Sequence, residues 1–565
     1  MTTAIESPPI MRRILPKISV ELSAFWVTAA LMTVAIMFPV AMSIDAAFRI
    51  DGAFSLEGFE RLFRAPRIGR IFVTTLVFAA GATLAAASIG VSLAWVVART
   101  NVPGRRFLEI MCVVPLFMSA FVGAIAWRLI LVPRAGMLTR ILTDWGFPIE
   151  WVPDVYSLTS MCLIQGIFYS PFMYLYAVAS FRQMDPSLEE VARIHGASGW
   201  QTLRRVTLPI NGPALLSGMV LVFVFSIGTL EIPIALGVPG GNYVIATRIW
   251  TLLRDFPQDV PQAMALGFMA ITMAASGIWL QKRILGSRKF TTVTGKGYNS
   301  RVIELGKWKW PTFTAVFTYV MIAVVLPIIV LVLIGLQKTW RGRWHPELFT
   351  LDNFYSVAIL MDVTSRAIVN SLIACTIAAT IVVLIATILS QTKSRSAEAW
   401  MGMLVLMPIA IPGVIFGVMV LYAFISTPMY QTLSIIIFAY VIGNFFLAYR
   451  IIYSVRLSIH PELEQSARIH GASWWRSTYL ILMPLLRPGI FSAWLMSFVV
   501  FMREFSSVMF LYWHGTEVMS VVFFLLMERH SARLAAFMII QIALLLVVMA
   551  IYQRVNRRSS GGMTM

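Results

Sequence analysis

Residues 184–209 read MDPSLEEVARIHGASGWQTLRRVTLP, and residues 459–484 read IHPELEQSARIHGASWWRSTYLILMP. Overlaid at an offset of 275 with no gap, 12 of the 26 positions are identical, including the run Ala-Arg-Ile-His-Gly-Ala-Ser. A second echo lies upstream of each block: Phe54-Ser-Leu-Glu-Gly-Phe59 against Phe349-Thr-Leu-Asp-Asn-Phe354, each just before a long apolar run. Self-similarity over so long a period marks a duplicated structural unit. The flanking sequence says what kind. Of 565 residues, 59% are hydrophobic and 13% charged, with a mean hydropathy of +0.80. A soluble domain carries about 25% charged and about 45–50% apolar residues. No soluble core hides this much apolar surface, which excludes soluble enzymes, nucleic-acid-binding proteins and disordered chains. The formal charge of +19 is of the kind that gathers in the cytoplasmic loops of membrane proteins. Cys112, Cys162 and Cys375 lie singly inside apolar runs, a pattern of neither a disulfide framework nor a metal cluster.

About 20 apolar residues cross the hydrocarbon of a bilayer as a helix, and continuous apolar runs exclude a barrel. Twelve such segments lie near 24–46, 71–98, 107–132, 157–181, 211–236 and 262–281, then 312–337, 367–391, 400–426, 431–455, 486–512 and 535–553. The first is too long and too internal for a cleaved signal peptide. The expected fold is an all-α membrane protein of two parallel six-helix repeats, related by a pseudo-twofold along the membrane normal with a pathway between them. Its expected parts are a tail over 1–23, a first six-helix domain over 24–285, a linker over 286–311, a second domain over 312–553 and a tail over 554–565. The side bearing both blocks, the linker and both termini holds 28 of the 45 Lys and Arg; the other side holds 16, and Arg503 lies within a span. The net charges are +18 and +2, so the positive-inside rule places the first side in the cytoplasm.

Each repeated block is built as a short helix with sharp ends. In the first, Asp185-Pro186 supplies an N-cap and a proline at the first helical position. Glu189 and Glu190 fall in the first turn, with Arg193 and His195 near the last, complementing the helix dipole. Gly196 suits the left-handed stop. The second copy repeats the plan with Pro461, Glu464, Arg468, His470 and Gly471. His195 and His470, each one residue before the glycine, read as caps on the dipole rather than as metal ligands or proton relays. A further helical stretch is expected from Trp200 to Pro209, where the next span begins. Two capped helices on one face suggest two docking knobs.

The spacing Glu-x-Ala-x3-Gly-x9-[Ile/Val]-x-Leu-Pro, carried by Glu190, Ala192, Gly196, Val206, Leu208 and Pro209, resembles the EAA loop of binding-protein-dependent ABC importer permeases. In the second copy Ala467, Gly471, Ile481 and Pro484 match. Gln465 stands in place of the glutamate and Met483 in place of the leucine, while Glu464 is kept beside the position of Glu189. The resemblance covers essentially the whole chain and implies a fused two-permease subunit of the type I importer fold. It implies that each loop sits in a groove of an ATP-hydrolysing subunit. The coupling residues it implies are Glu189, Glu190, Ala192, Arg193, His195 and Gly196 in one loop, and Glu464, Gln465, Ala467, Arg468, His470 and Gly471 in the other.

No G-x-x-x-x-G-K-[ST] phosphate loop occurs; Gly295-Lys296 is followed by Gly297, so the chain is expected to be no enzyme and to bind no cofactor. ATP and Mg are expected on a separate ABC ATPase subunit, most simply a homodimer. No outer loop is long enough for a solute-binding domain, so the resemblance implies a separate periplasmic binding protein and a place in a bacterial inner membrane, with no nucleic-acid partner. A secondary transporter of two parallel halves is the rival reading, but nothing in it calls for paired capped helices. No metal-spaced cluster or nucleophile–base pair supports an embedded enzyme.

Ionisable groups inside a bilayer are costly and mark function or pairing. Glu231 lies 22 residues after Pro209, and Glu504, beside Arg503, lies 20 after Pro484. On straight helices both fall about 30 Å from the loops. The expectation is that the two acids face each other across the pathway near its outer gate, with no metal site assigned. Asn370 and Asn444 are weaker candidates for the pathway, since an asparagine in a span more often hydrogen-bonds a neighbouring helix. Phe501–Tyr512, Gly515–Val522, Glu231–Pro233 and Tyr243–Arg248 resemble iron(III) permeases, with thiamine, polyamine and phosphonate importers as alternatives. Two acids offer the hard oxygen ligands that Fe(III) prefers, and equally suit a polyamine.

Overall fold

The computed structural model describes residues 20–50, 53–185, 187–285, 302–340, 342–343, 345–391 and 394–560. Pro186, most of the N-terminal tail, linker residues 286–301 and residues 561–565 lie outside the described residues. The described chain is mostly helix, with one two-residue hairpin, Arg49–Ile50 with Ala53–Phe54, and isolated bridges at Thr100–Ile303 and Gln337–Phe349. In the first half the spans are Val20–Phe48, Ile68–Arg99, Arg105–Phe117 with Ala120–Leu131, Leu158–Gln183, Gly199–Gly228 and Val260–Leu285. In the second half they are Gly306–Gly335, Asp362–Leu389, Ser396–Ala410 with Gly413–Phe424, Leu433–Ser458, Thr478–Arg503 and Ser531–Ser560. Among the described residues ten helices are long and apolar enough to cross a membrane, or twelve when each bent pair counts as one span.

Two expectations are corrected. Span three was expected to be continuous in each half, over 107–132 and 400–426, and in each it is broken. Arg105–Phe117 meets Ala120–Leu131 at 93°, and Ser396–Ala410 meets Gly413–Phe424 at 99°. Prolines set both corners: Pro115 lies in the 3-10 turn before the first, and Pro412 forces Ile411 into extended backbone at the second. Span five, expected over 211–236 and 486–512, begins earlier and ends sooner. Its helix starts at Gly199, directly after the loop, and stops at Gly228; in the second half it stops at Arg503. Pro209 and Pro484 do not begin these spans, because a π-turn precedes each, at Leu203–Thr207 and Thr478–Leu482. The wider turn absorbs the ring and the missing N–H without breaking the helix.

Small residues let spans two and four of the first half approach closely. A Cβ on Gly166 would lie 2.4 Å from Ala85 Cβ, and one on Gly90 would lie 2.6 Å from Ser170 O. Backbone contact of this kind replaces the hydrophobic drive that lipid removes. The duplication is visible in hydrogen bonds as well. Thr75 on span two accepts from Ile245 N at 2.9 Å, and Ser371 on the matching span accepts from Met519 N at 2.8 Å, each opening a short helix. The first span of each half packs on the other half, Val20–Phe48 on Gly413–Phe424 and Leu326–Gly335 on Ala120–Leu131.

Candidate functional site

The repeated loops form the expected short helices, Ser187–Ile194 and Pro461–Ile469. The Asp185 carboxylate accepts from Ser187 N at 2.9 Å and opens the first. Gly196, at φ +83°, closes it, with Ala197 N donating to Ala192 O at 3.0 Å; Gly471, at φ +81°, closes the second, with Ala472 N donating to Ala467 O at 3.0 Å. Both are the six-to-one bonds of a Schellman stop. The His195 and His470 rings each set Nδ1 2.8 Å from the carbonyl four residues back, on Val191 and Ser466. They finish the last turn. Among the described residues no group of three His, Cys, Asp or Glu is placed to hold a metal.

The two tips present apolar side chains. Ile194 is 81% and Ile469 83% exposed, with Leu188, Val191 and Leu463 also exposed. Arg193 and Gln465 are exposed too, while Glu190, Ala192 and Ala467 are half-buried. Arg468 lies within the second helix. Glu189, expected among the partner-facing residues, is instead turned inward. It pairs with Arg99 at the end of span two and accepts from the Thr207 hydroxyl at 2.6 Å. Glu464 is likewise held by Arg456, at 2.9 Å. The glutamate common to both copies therefore fixes the helix to the bundle and leaves the apolar tip outward.

The second site lies between the halves. Each span-five end abuts the broken span three of the other half. A Cβ on Gly228 would lie 2.4 Å from Pro412 Cβ. Arg503, the counterpart of Gly228 at the 275-residue offset, donates from Nη1 to Leu116 O. A helix corner leaves carbonyls without their next N–H, and in lipid these need another donor; Arg503 supplies one. Phe121 and Phe505 stack beside it with ring centroids 4.7 Å apart.

Beside these contacts lies a half-open cavity of about 190 Å³, with Thr229, Glu231, Asn444, Arg503, Glu504, Ser506 and Ser507 as its polar lining and Tyr169, Phe225 and Phe416 among its apolar walls. The structure thus brings Glu231, Arg503 and Glu504 together, as expected, but not inside straight helices: Glu231 follows the helix end and Glu504 caps one. Nor are the acids counterparts, since Thr229 aligns with Glu504 and Ser506 with Glu231. Glu231 Oε2 accepts from Thr229 Oγ1 at 2.5 Å, Leu230 N at 3.1 Å and, across the halves, Ser506 Oγ at 2.9 Å. Ser506 Oγ in turn accepts from Leu230 N at 3.0 Å. Glu504 Oε1 accepts from Ser507 N at 3.1 Å and Ser507 Oγ at 2.9 Å. Two carboxyl side chains and one guanidinium thus stand among the lining residues. Asn370 holds a loop instead, donating to Gly515 O and Glu517 O at 3.0 Å each.

Thr229, Ser506 and Ser507 carry no signal of their own in the sequence, although the 275-residue alignment sets Thr229 opposite Glu504 and Ser506 opposite Glu231. Arg99 and Arg456 stand at span ends, where an arginine has the look of ordinary loop charge. Nothing local announces that either is buried.

A duplicated helical bundle with two capped knobs at one end and a cavity between its halves that holds two acids and an arginine has the build of a multi-pass membrane permease. Residues 86–289 and 383–561 each match the family described as binding-protein-dependent transport system inner membrane component, and the chain belongs to that family. Among its relatives is the putative ferric transport system permease protein FbpB 1 of Haemophilus influenzae, 26% identical, with 74% of this chain and 66% of the relative covered. The ferric transport system permease protein FbpB of Actinobacillus pleuropneumoniae is 25% identical, with 73% and 60% covered. The chain thus spans about two thirds or less of the length of these two relatives. The Fe(3+)-transport system permease protein FbpB 2 of Haemophilus influenzae is 22% identical, with 82% and 85% covered. A solved bacterial alginate ABC transporter, in complex with an alginate pentasaccharide-bound periplasmic protein, is a distant likeness at 20% identity and a TM-score of 0.39, covering 48% of this chain and 98% of that one.

Proposed function

We propose that this chain is the permease subunit of an ATP-driven importer that takes ferric iron from a periplasmic binding protein and passes it between its two halves. In this reading both termini and both loops are cytoplasmic, as the charge distribution of +18 against +2 supports. The loop helices sit in grooves of a pair of ATPase subunits, which bind ATP and Mg; their exposed apolar tips at Ile194 and Ile469 suit such seating. Nucleotide-driven closure of the ATPases draws the loops together, and the two bundles rock to alternate access. Glu231, Glu504 and Arg503 lie on the path, and the Ser506–Glu231 and Arg503–Leu116 contacts hold its outer end shut.

The observation that carries the reading is the pair of family matches joined to ferric-permease relatives that align along most of the chain. The carboxylates and hydroxyls of the cavity support iron, since hard cations take oxygen ligands. The test is uptake of radiolabelled ferric iron by vesicles holding the chain, its binding protein and ATPase subunits. Uptake that requires ATP and all three components is the expected result. Uptake without any ATPase, driven by an ion gradient, would overturn the class. Uptake of thiamine, a polyamine or a phosphonate in place of iron would keep the class and change the solute.

A further inference from the structure

The helix that opens span three of the first half, Arg105–Val113, lies against the entry of span one of the second half. Ile303 N donates to Arg99 O at 2.7 Å, Asn101 N to Ile303 O at 3.1 Å, and Leu305 N to Asn101 Oδ1 at 3.0 Å. A Cβ on Gly104 would lie 3.4 Å from the Phe313 ring. From there Arg105–Val113 packs on Lys309–Val320. The Phe107 and Phe317 rings meet across the two helices with centroids 6.5 Å apart. Phe313 stacks on Phe317 at 5.8 Å, and Trp310 meets Phe313 edge-on at 6.0 Å. A row of four rings therefore follows the seam between the halves. Its surface is open: Phe107 and Ile110 are exposed, Trp310 is 65% exposed, and Trp308, just before the row, is 71% exposed.

One end of this row is basic. Glu109 is shared by Arg105 at 3.4 Å and Arg182 at 2.5 Å, which leaves one positive charge over. Arg106 and Lys307 are exposed and Lys309 is half-buried, and no ion pair among the described residues answers any of the three. Exposed Glu304 is the acid on the entry segment, so cations outnumber carboxylates here. This end is also the one that carries the loop helices, since Arg99, two residues before Asn101, holds Glu189. The other seam gives a comparison. At the offset of 293 that overlays the two corners, Phe117 on Ala410 and Ala120 on Gly413, Phe107 falls on Trp400. Trp400 meets Trp26 at 6.3 Å, so a ring contact between one half's span three and the other half's first span is part of the duplication. The adjacent arginines are not, because Glu398 and Ala399 stand where Arg105 and Arg106 do. Packing of the halves therefore does not account for Arg106.

Cations above an open apolar row match the two parts of an anionic phospholipid, whose phosphate seeks Lys and Arg and whose chains seek apolar surface. Tryptophans gather at the level where headgroups meet hydrocarbon, and Trp308 and Trp310 stand at the basic end. Resting on the orientation of the importer reading above, we propose that this seam binds an anionic phospholipid of the cytoplasmic leaflet. Its phosphate faces Arg106, Lys307 and Lys309, and an acyl chain lies along Phe107, Ile110, Phe313 and Phe317. The bilayer is the occupant because the row is continuous with the exposed faces of two membrane-crossing segments. The lipid touches both halves at once. It braces a helix whose far end runs into the turn bearing Leu116, the acceptor of Arg503.

The experiment uses the full chain in phosphatidylcholine vesicles holding a small fraction of phosphatidylglycerol with a photoactivatable group on one acyl chain. After irradiation, the peptides spanning Phe107–Ile110 and Trp310–Phe317 are expected to carry the label. Unlabelled phosphatidylglycerol should compete it away; phosphatidylcholine, which lacks the net charge, and inorganic phosphate, which lacks the chains, should not. Arg106→Gln, Lys307→Gln and Lys309→Gln should each lower the labelling roughly fivefold, and Arg106→Lys should keep most of it. Label at the matching seam around Trp400 should be unchanged in these variants, which shows that the bundle is intact. Labelling that phosphatidylcholine competes equally well, or that the triple Gln variant retains in full, overturns the proposal. Loss of the label when the ATPase subunit is bound overturns it too, since the face then belongs to a protein partner. The readout is lipid contact and needs no transport. A chain that takes the label as described but imports nothing would fell the importer reading and leave the site standing.

Discussion

At Glu189 and Arg99, with 7% and 1% side-chain exposure, each charge depends on the other for its solvation. Glu189→Ala strands the guanidinium and should cost about 3–5 kcal/mol, read as a large fall in the melting temperature of the purified chain. Gln465→Ala, at an exposed site of the other loop, should stay within about 0.5 kcal/mol; equal losses at the two would contradict the inward placement of Glu189. In the cavity, Glu231→Gln weakens an inter-half bond to Ser506. It should lower uptake by roughly tenfold, the size of one charge-assisted hydrogen bond of about 1.5 kcal/mol, with assembly intact; Glu504→Gln should behave alike. Wild-type uptake in both would remove the acids from the path. Glu231 and Glu504 were legible because a charge inside an apolar run stands out. Ser506, Arg99 and Arg456 were not, because a serine is unremarkable in any segment and an arginine near a span end looks like ordinary loop charge.

Element boundaries turned on proline and glycine in ways hydropathy does not register. The apolar runs over 107–132 and 400–426 continue straight through both corners, since the corners are themselves apolar: Pro115-Leu-Phe-Met118 and Ile411-Pro412. Where Gly228 meets the second corner there is no space for a methyl group, which would lie 2.4 Å from Pro412 Cβ and 2.6 Å from Pro412 Cα. Gly228→Ala must part the two elements, at about 1–3 kcal/mol. A cysteine placed at Asn444 on the cavity wall should then react faster with a small polar thiol reagent than in the parent chain, where Cys112, Cys162 and Cys375 are buried. An unchanged labelling rate would mean the corner yields without opening the cavity. At Gly196 the situation is reversed. Nothing lies within 4 Å of an added Cβ, and Gly196→Ala should cost only the left-handed backbone at φ +83°, about 1–2 kcal/mol, seen as a modest drop in melting temperature.

On the scale of the whole molecule, each half lends its first span to the other, Val20–Phe48 on Gly413–Phe424 and Leu326–Gly335 on Ala120–Leu131. Packing rather than the covalent linker should therefore hold the halves together. A chain cut between residues 290 and 295, with both pieces expressed together, should co-purify as one particle; pieces that separate would show that the linker is required. Residue order alone was enough to read the duplication, the all-helical membrane class and the two capped loop helices. Each of these is written in residues that are neighbours along the chain, in the length of an apolar run or the spacing of a cap and its glycine. Where spans three and five break, which way each shared glutamate turns and which residues line the cavity emerged from packing in three dimensions. Those outcomes rest on bonds such as Leu230 to Ser506 and Arg503 to Leu116, between residues 276 and 387 positions apart. A backbone group freed by a corner in one half is satisfied by whatever donor or acceptor the other half brings to it, and that pairing is settled only when the two bundles pack.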